Sequence, residues 1–193
     1  MRVLVLYAHP VPESFGAALH ETVVASLRAA GHEVDDCDLY AEGFDPVLSR
    51  EERRGYHDTA SNTAPVAAYV GRVKRAEALV LCFPVWNFGY PAILKGFFDR
   101  VFLPGVSFEL AQGKVTPALG HIRKLAAVTT YGASRWTAFL MGDPPRRLVC
   151  RALRAVCRPM ARTLYLAHYD MNRATPESRA AFLQKVAARL AVF

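Results

Sequence analysis

The chain predicts a doubly wound α/β fold, in which a five-stranded parallel sheet carries helices on both faces. Short apolar runs alternate along the sequence with stretches of helical spacing, which is the pattern of successive βαβ units. The run Ala78-Leu-Val-Leu-Cys82 contains no polar side chain, as expected for a strand that is buried on both faces of a sheet. It is followed by a loop and then by a helix that can begin at Pro91.

The five strands are predicted at residues 2–7, 34–39, 78–83, 123–130 and 163–168. The second of them is the most polar, which places it near an edge of the sheet. Five strands in a chain of 193 residues fit the flavodoxin-like strand order. We therefore expect a single flavodoxin-like domain over residues 1–193.

Helices connect these strands and are predicted at residues 15–30, 49–56, 65–75, 91–102, 144–158 and 176–191. Gly31 is a natural stop for the first helix. Ser49 and Thr175 are the predicted N-caps of the second helix and the last. Pro65 suits the first turn of the third helix, and Pro159 ends the fifth. Residues 104–120 are predicted to be irregular.

Composition limits the class of protein. Hydrophobic residues make up 52% of the chain and charged residues 21%, which favours a globular fold. No apolar run approaches the ~20 residues that span a bilayer. The four cysteines lack CxxC spacing, and the acidic residues Asp35, Asp36 and Asp38 are interpreted as solvated charge on an edge strand, so we expect no metal site. A reduced, cytoplasmic protein is the expectation.

The formal charge of +7 is unevenly distributed. Residues 1–103 carry 10 Lys/Arg and 13 Asp/Glu, whereas residues 104–193 carry 14 and 4. A basic helical stripe is predicted from Arg147, Arg151, Arg154, Arg158 and Arg162. It is either a solvated outer face or a site for an anion. It lacks interleaved aromatic residues, and no nucleic-acid-binding motif is present, so we expect no nucleic acid partner.

The first of three notable loops leaves the first strand at Ala8 and enters the first helix. Ser14 can cap that helix, and the free amides of its first turn then form an anion site. His9 follows the strand and faces this site. The loop lacks the glycines of a Walker loop or of GxGxxG, so hydroxyl, imidazole and amides would hold a phosphate. An ordinary, well-capped turn explains the same residues.

Two further loops follow the third and fourth predicted strands. The second loop, residues 84–89, places Asn87 between Trp86 and Phe88, which suits a flat, conjugated ligand better than a phosphate. The alternative is an aromatic corner of the core, which the amide argues against. The third loop, residues 129–134, gathers hydroxyls around Tyr131 and Gly132. Because parallel strands end at one edge of a sheet, the three loops predict one ligand site.

Together these motifs resemble the NAD(P)H:quinone oxidoreductase family of flavodoxin-like flavoproteins, over residues 2–190. The motifs are Tyr7-Ala-His-Pro with Ser14-Phe15, Phe83-Pro84 with Phe88-Gly89, Pro91-Ala-Ile-Leu-Lys-Gly-Phe-Phe-Asp-Arg-Val-Phe102, and Thr129-Thr130 with Gly132. The stretch Pro84-Val-Trp-Asn-Phe-Gly89 is also similar to the flavin loop of FMN-dependent azoreductases.

The resemblance implies which residues hold a flavin. Its phosphate and ribityl chain would be held by His9, Ser14, Phe15 and Gly16. The isoalloxazine edge would be lined by Pro84, Val85, Trp86, Asn87 and Phe88. The far side of the ring and its polar rim would be met by Thr129, Thr130, Tyr131 and Gly132. The implied substrate pocket consists of Trp86, Phe108, Tyr131 and Trp136.

The resemblance also implies an enzyme of the NAD(P)H dehydrogenase (quinone) type, a homodimer with its active site at the subunit interface. Hydride would pass from NADH or NADPH to the flavin and then to a quinone, in ping-pong order. FAD is expected, with FMN as the alternative, because the first loop contains the histidine of the quinone reductase type.

This chain departs from the family pattern in two places. The Tyr and His that follow the third loop in animal quinone reductases have no counterparts here, so no catalytic residue is assigned. Arg135 is a candidate for positive charge near the reduced flavin. Tyr131 replaces a family glycine, and its ring is expected to cover the flavin.

Two alternative functions stay open. The Trp86-Asn87-Phe88 sequence favours a reductase of azo or nitro compounds. The basic helix is compatible with a regulatory flavoprotein subunit of a potassium efflux system, docked at the membrane. The same helix offers an anion site for the NADPH 2′-phosphate, the FAD pyrophosphate or an acidic partner.

Overall fold

The structure, a computed structural model, describes all residues 1–193 and contains the predicted five-stranded parallel sheet. The strands are β1 (Arg2–Tyr7), β2 (Glu33–Asp38), β3 (Ala78–Val85), β4 (Phe108–Ala111), β5 (Lys114–Pro117), β6 (Lys124–Tyr131) and β7 (Arg162–His168). The sheet order is β2-β1-β3-β6-β7, which confirms the flavodoxin-like fold and places the polar β2 at an edge. From β1 the chain first adds β2 on one side and then β3 on the other, so the strand order switches between β1 and β3. Folds of this kind bind ligands at such a switch point.

The helices are α1 (Phe15–Ala29), α2 (Arg50–Arg54), α3 (Ala67–Arg75), α4 (Ala92–Val101), α5 (Arg135–Leu140), α6 (Pro144–Arg147), α7 (Arg154–Val156) and α8 (Pro176–Leu190). A π-helical turn, Leu148–Leu153, joins α6 to α7, and 3₁₀ turns occupy Ala64–Val66 and Met171–Arg173. Ser14, Ser49 and Thr175 cap α1, α2 and α8 through their side chains, which confirms the predicted caps.

Two apolar layers cover the sheet, one on each face. Along β1, Val3 and Val5 belong to the layer that contains α1 and α8. Leu4 and Leu6 belong to the layer that contains α3 and α4. This alternation follows from the two-residue period of a strand, and it confirms the prediction of helices on both faces.

The prediction that residues 104–120 are irregular is wrong, because β4 and β5 form an antiparallel hairpin there. The turn residues Gln112 and Gly113 have φ values of 51° and 75°, the signature of a type I′ turn. Most of the hairpin is exposed. Its strands therefore lack the apolar alternation by which a half-buried strand is recognised in a sequence.

The predicted basic stripe is also wrong. The helical segment ends at Val156, and its π-helical turn rotates the later residues relative to an α-helix. Arg154 folds back, and its Nε donates to the Ala161 carbonyl at 3.1 Å. Arg158 lies beyond the helix and Arg162 opens β7, so the five arginines do not share one face.

Helix α4 packs directly against the loop that precedes α2. An added Cβ on Gly96 would lie 2.3 Å from the Pro46 carbonyl oxygen, so the two backbones are in direct contact. Arg100, further along α4, donates to a Glu52 carboxylate oxygen at 2.7 Å and to the Asp45 carbonyl. These contacts fix α4 and, with it, the loop between β3 and α4.

Candidate functional site

The three loops meet at one edge of the sheet, as predicted. The Ala8 amide at the end of β1 donates to the Cys82 carbonyl on β3 at 3.0 Å. Thr130 on β6 is in register with Pro84 on β3, so the second and third loops leave the sheet at the same level. The rings of His9 and Trp86 lie 6.0 Å apart, which brings the first and second loops together.

The first loop orients His9. Its Nδ1 accepts a hydrogen bond from the Val11 amide at 3.1 Å and lies 3.0 Å from the Ser14 hydroxyl. Burial lowers the pKa of His9, so the ring is neutral at pH 7. Since Nδ1 is an acceptor, the proton of the neutral imidazole is assigned to Nε2, which is then a donor for a ligand.

Free amides lie beside this imidazole. Ser14 caps α1 by accepting from the Ala17 amide at 3.1 Å. The amides of Phe15 and Gly16, at the first turn, donate to no group in the structure. A Cβ on Gly16 would press to 3.1 Å from the His9 ring, so the glycine keeps the approach open. Such a helix N-terminus suits a phosphate.

The second loop is a tight turn with unusual backbone angles. Trp86 and Gly89 exchange two backbone hydrogen bonds, at 3.3 and 2.8 Å. Between them Asn87 and Phe88 have φ values of 49° and 55°. A phenylalanine in this region is rare. The amides of Asn87 and Phe88 have no partner, and Trp86 is exposed.

Replacing Phe88 with glycine tests whether this turn is strained. The change would give the type I′ turn its preferred Asn-Gly pair. We expect the free energy of unfolding to rise by about 1 kcal/mol while affinity for flavin falls. Urea denaturation and flavin titration measure the two effects. A loss of stability would show that the Phe88 side chain contributes more by packing than its backbone costs.

The third loop places its residues differently from the expectation. Thr129 is fully buried, and its hydroxyl has no hydrogen-bond partner. Gly132 follows β6 at the exposed edge, and its amide is free. The Tyr131 ring is only 1% exposed, so it does not cover a ligand in this structure. Only the backbone of Tyr131 is left to contribute to the site.

Tyr131 is buried because its hydroxyl has two partners from distant parts of the chain. It donates to the Asp143 carboxylate at 2.6 Å and lies 2.6 Å from the Tyr165 hydroxyl. Burial is the main cause that raises the pKa of both tyrosines, so both phenols stay protonated at neutral pH. The network ties the end of β6 to the segment before α6.

The two other predicted pocket residues lie outside the three loops. Phe108 opens β4, and no ring contact joins it to the three loops. Trp136 lies on α5, a helix that was not predicted from the sequence although Ser134 caps it. It stacks on Phe139 with ring centroids 5.6 Å apart. The large apolar residues of this helix and its C-cap are each more than half exposed. We call them the α5 patch; they are Trp136, Phe139, Leu140 and Met141.

A cavity of about 540 Å³ adjoins His9 on the side of β2. Tyr7 lines it, stacked on His20 with ring centroids 4.1 Å apart, and its buried hydroxyl has no partner. Burial raises the pKa of Tyr7 to about 12, so the phenol remains a donor at neutral pH. Tyr7 was predicted to lie in the first strand, but its role as a donor could not be read from the sequence.

The structure also bears on membranes and metals. It has no helix that combines the length and apolar character needed to cross a membrane. It has no group of three or more His, Cys, Asp or Glu side chains placed to share a metal ion.

Comparisons with known proteins identify the fold family of the chain. Residues 1–190 match a family model described as "Flavodoxin-like fold". The rat (Rattus norvegicus) NAD(P)H dehydrogenase [quinone] 1 is 30% identical over 148 residues, which are 68% of this chain and 54% of the rat protein. The chain thus spans about half the length of the curated relatives it matches.

Two solved structures share the fold. An NAD(P)H:quinone oxidoreductase from Methanothermobacter marburgensis has a TM-score of 0.84 at 24% identity, covering 99% of this chain and 98% of that one. An FMN-dependent NADH-azoreductase from Bacillus anthracis, in complex with FMN, has a TM-score of 0.78 at 13% identity over 99% and 98%. The predicted resemblance to quinone oxidoreductases and azoreductases is confirmed.

Proposed function

Since this chain belongs to the family of proteins with a flavodoxin-like fold, we propose that it is an NAD(P)H-dependent flavoprotein oxidoreductase that reduces quinones or similar acceptors. The proposal is carried by one observation, the convergence of three strand-end loops with unpartnered amides. These amides belong to Phe15 and Gly16, to Asn87 and Phe88, and to Gly132. They are donors without a protein acceptor, at the edge where such sheets bind ligands.

These donors fit the parts of a flavin. The Nε2 proton of His9 and the amides of Phe15 and Gly16 would bind its phosphate. The amides of Asn87 and Phe88 would meet the polar edge of the ring, while Trp86 would pack against its face. A bound flavin supplies hydride acceptance and donation, and the protein orients it and tunes its charge.

FAD is the flavin we propose, with FMN as the alternative. A groove of about 260 Å³ between β7 and α8 would take the adenosine half of FAD; it is lined by His168, Ser178 and Lys185 among others. The rings of His168 and Phe15 pack edge to face with their centroids 5.8 Å apart, and the buried Nδ1 of His168 has no partner. The groove therefore begins beside the proposed phosphate site. The FMN complex of the azoreductase supports the alternative.

We propose that two copies of the chain associate through the α5 patch. An exposed cluster of four large apolar side chains, three on one short helix and the fourth at its C-cap, is typical of an interaction surface. The patch follows the third loop directly, so a second copy would close the acceptor pocket at the flavin. The single-domain organisation and the cytoplasmic location stay predictions, as does the absence of a nucleic acid partner.

A reductase of azo or nitro compounds is the second candidate. It is favoured by the Asn87-Phe88 turn and by the fold shared with azoreductases. Steady-state rates with a benzoquinone and an azo dye, measured on one flavin-loaded preparation, separate the two. If the protein retains flavin but reduces neither acceptor, both reductase functions are contradicted. That result would favour a regulatory role at a membrane transporter.

Ser14→Ala tests the proposed phosphate site. The variant loses an N-cap, which costs about 1 kcal/mol of stability, and it frees the His9 ring. We expect flavin affinity to fall roughly 10-fold, measured by fluorescence titration of the flavin-free protein. Ser49→Ala removes a similar cap from α2 and serves as the control, with unchanged flavin affinity. Equal affinity in both variants would exclude the first loop as the phosphate site.

A further inference from the structure

We propose that a cavity lined by Arg146, Arg147 and Arg151 binds the 2′-phosphate of NADPH, which makes NADPH the preferred electron donor. We call it the arginine cavity. The inference rests on the proposed function, because it concerns the donor of the same reaction. It assigns a role to basic residues that the loops around the flavin do not use.

The π-helical turn brings these side chains together. Arg146 and Arg147 end α6, and Arg151 lies in the π-helical turn that follows. All three are exposed and line one cavity of about 350 Å³. Arg147 and Arg151 also line a second cavity beside it, of about 380 Å³. A phosphate monoester and its sugar fit a groove of this size.

No carboxylate forms an ion pair with these arginines. Elsewhere in the fold Arg2, Arg72, Arg100 and Arg123 each pair with Asp or Glu. The side chains of Arg147 and Arg151 make neither an ion pair nor a hydrogen bond. Arg146 lies over the Tyr165 ring, 5.9 Å from its centroid. Unpaired guanidinium groups with free donors favour a doubly charged phosphate.

The neighbours of these arginines leave the charge available. Asp143 lines the same cavity, but its carboxylate accepts a hydrogen bond from the Tyr131 hydroxyl at 2.6 Å and forms no ion pair with the three arginines. Cys150 also lines it, and burial raises the pKa of its thiol more than Arg146 lowers it, so the sulfur stays neutral. The Arg147 guanidinium passes close to Gly142, where there is no side chain to obstruct it. A Cβ built on Gly142 would lie 3.5 Å from the Nη1 atom of Arg147.

Two hydrogen bonds join the segment that forms the cavity to residues beside the proposed flavin site. Tyr131 ends β6 beside the third loop and binds Asp143 in the cavity wall. Tyr90, just after the second loop, donates to the Pro145 carbonyl at the start of α6 at 3.4 Å. A dinucleotide with its nicotinamide over the flavin can therefore extend its adenosine half towards these arginines.

The double substitution Arg147→Gln/Arg151→Gln tests this assignment in the flavin-loaded protein. We expect kcat/KM for NADPH to fall roughly 10- to 100-fold, as for the loss of charge-assisted hydrogen bonds. The value for NADH stays unchanged. Arg158→Gln removes an exposed arginine outside the cavity and leaves both values unchanged. Equal losses with both donors, or an NADH preference in the unaltered protein, would overturn the assignment.

Calorimetry with adenosine 2′,5′-bisphosphate and adenosine 5′-monophosphate gives a readout that needs no turnover. The unaltered protein is expected to bind the bisphosphate more tightly, and the double variant to bind both alike. Binding of the bisphosphate by a protein that holds no flavin would support the cavity while refuting the proposed function. Equal binding of both nucleotides by the unaltered protein would refute the cavity alone.

Discussion

Replacing Gly96 with alanine is expected to destabilise the fold by about 3 kcal/mol. The added methyl group would lie 2.3 Å from the Pro46 carbonyl oxygen and 2.5 Å from its Cα, and backbone atoms cannot rotate away as a flexible side chain does. The helix α4 would have to move, and with it the loop after β3. Denaturant unfolding measures the loss, and flavin affinity should fall with it.

Gly120→Ala is the matched control. No atom lies within 4 Å of a Cβ built on Gly120, and its φ is not positive. We expect its stability to be unchanged or to increase by up to about 1 kcal/mol. If Gly96→Ala were as stable as this control, the loop that carries Pro46 would be free to shift, and α4 would not be fixed by that contact.

Arg100→Ala is expected to cost about 3 kcal/mol, because it leaves the largely covered Glu52 carboxylate without its charged partner. The side chains of Arg100 and Glu52 are only 10% and 12% exposed. Lys95→Ala, on the same helix, breaks the exposed pair with Asp99 and should cost less than about 1 kcal/mol. The double variant Glu52→Met/Arg100→Met should recover much of the loss.

The cost of Arg100→Ala should depend on pH. Burial alone would raise the pKa of Glu52, but hydrogen bonds from the Ser49 amide and from Arg100 lower it overall. Its stabilising contribution is therefore present above its ordinary value of 4.5 and is lost as the pH falls through the lowered pKa. The deficit of the variant should shrink below pH 4.5. A deficit that is constant with pH would show that lost packing, not charge, causes it.

Features set by local patterns could be predicted from the sequence. The uninterrupted apolar run of β3 reflects burial on both faces, and the caps Ser49 and Thr175 act on amides three residues away. The convergence of the three loops follows from parallel strands, whose carboxyl ends share an edge. These features require only residues close in sequence and the rules of sheet topology.

Features that depend on distant partners could not be predicted. The Tyr131 ring is buried because Asp143 and Tyr165 bind its hydroxyl, from 12 and 34 residues away. The prediction of a basic stripe was wrong because the sequence carries no clear signal for a π-helical turn. That turn changes the positions of the arginines that follow it around the helix axis. Tyr7 was assigned to the first strand and to a motif of the family, but its hydroxyl was given no role, because the cavity beside it is formed with residues of β2 and α1.

The measurement that most directly tests the proposed flavin site is the identity of the flavin that the protein retains. The purified protein is incubated with FAD and FMN, freed of unbound flavin by gel filtration and denatured, and the released flavin is identified by chromatography. We predict stoichiometric FAD that NADPH reduces in the native protein; stoichiometric FMN would retain the site but exclude the adenosine groove. A folded protein that retains neither flavin would contradict the account.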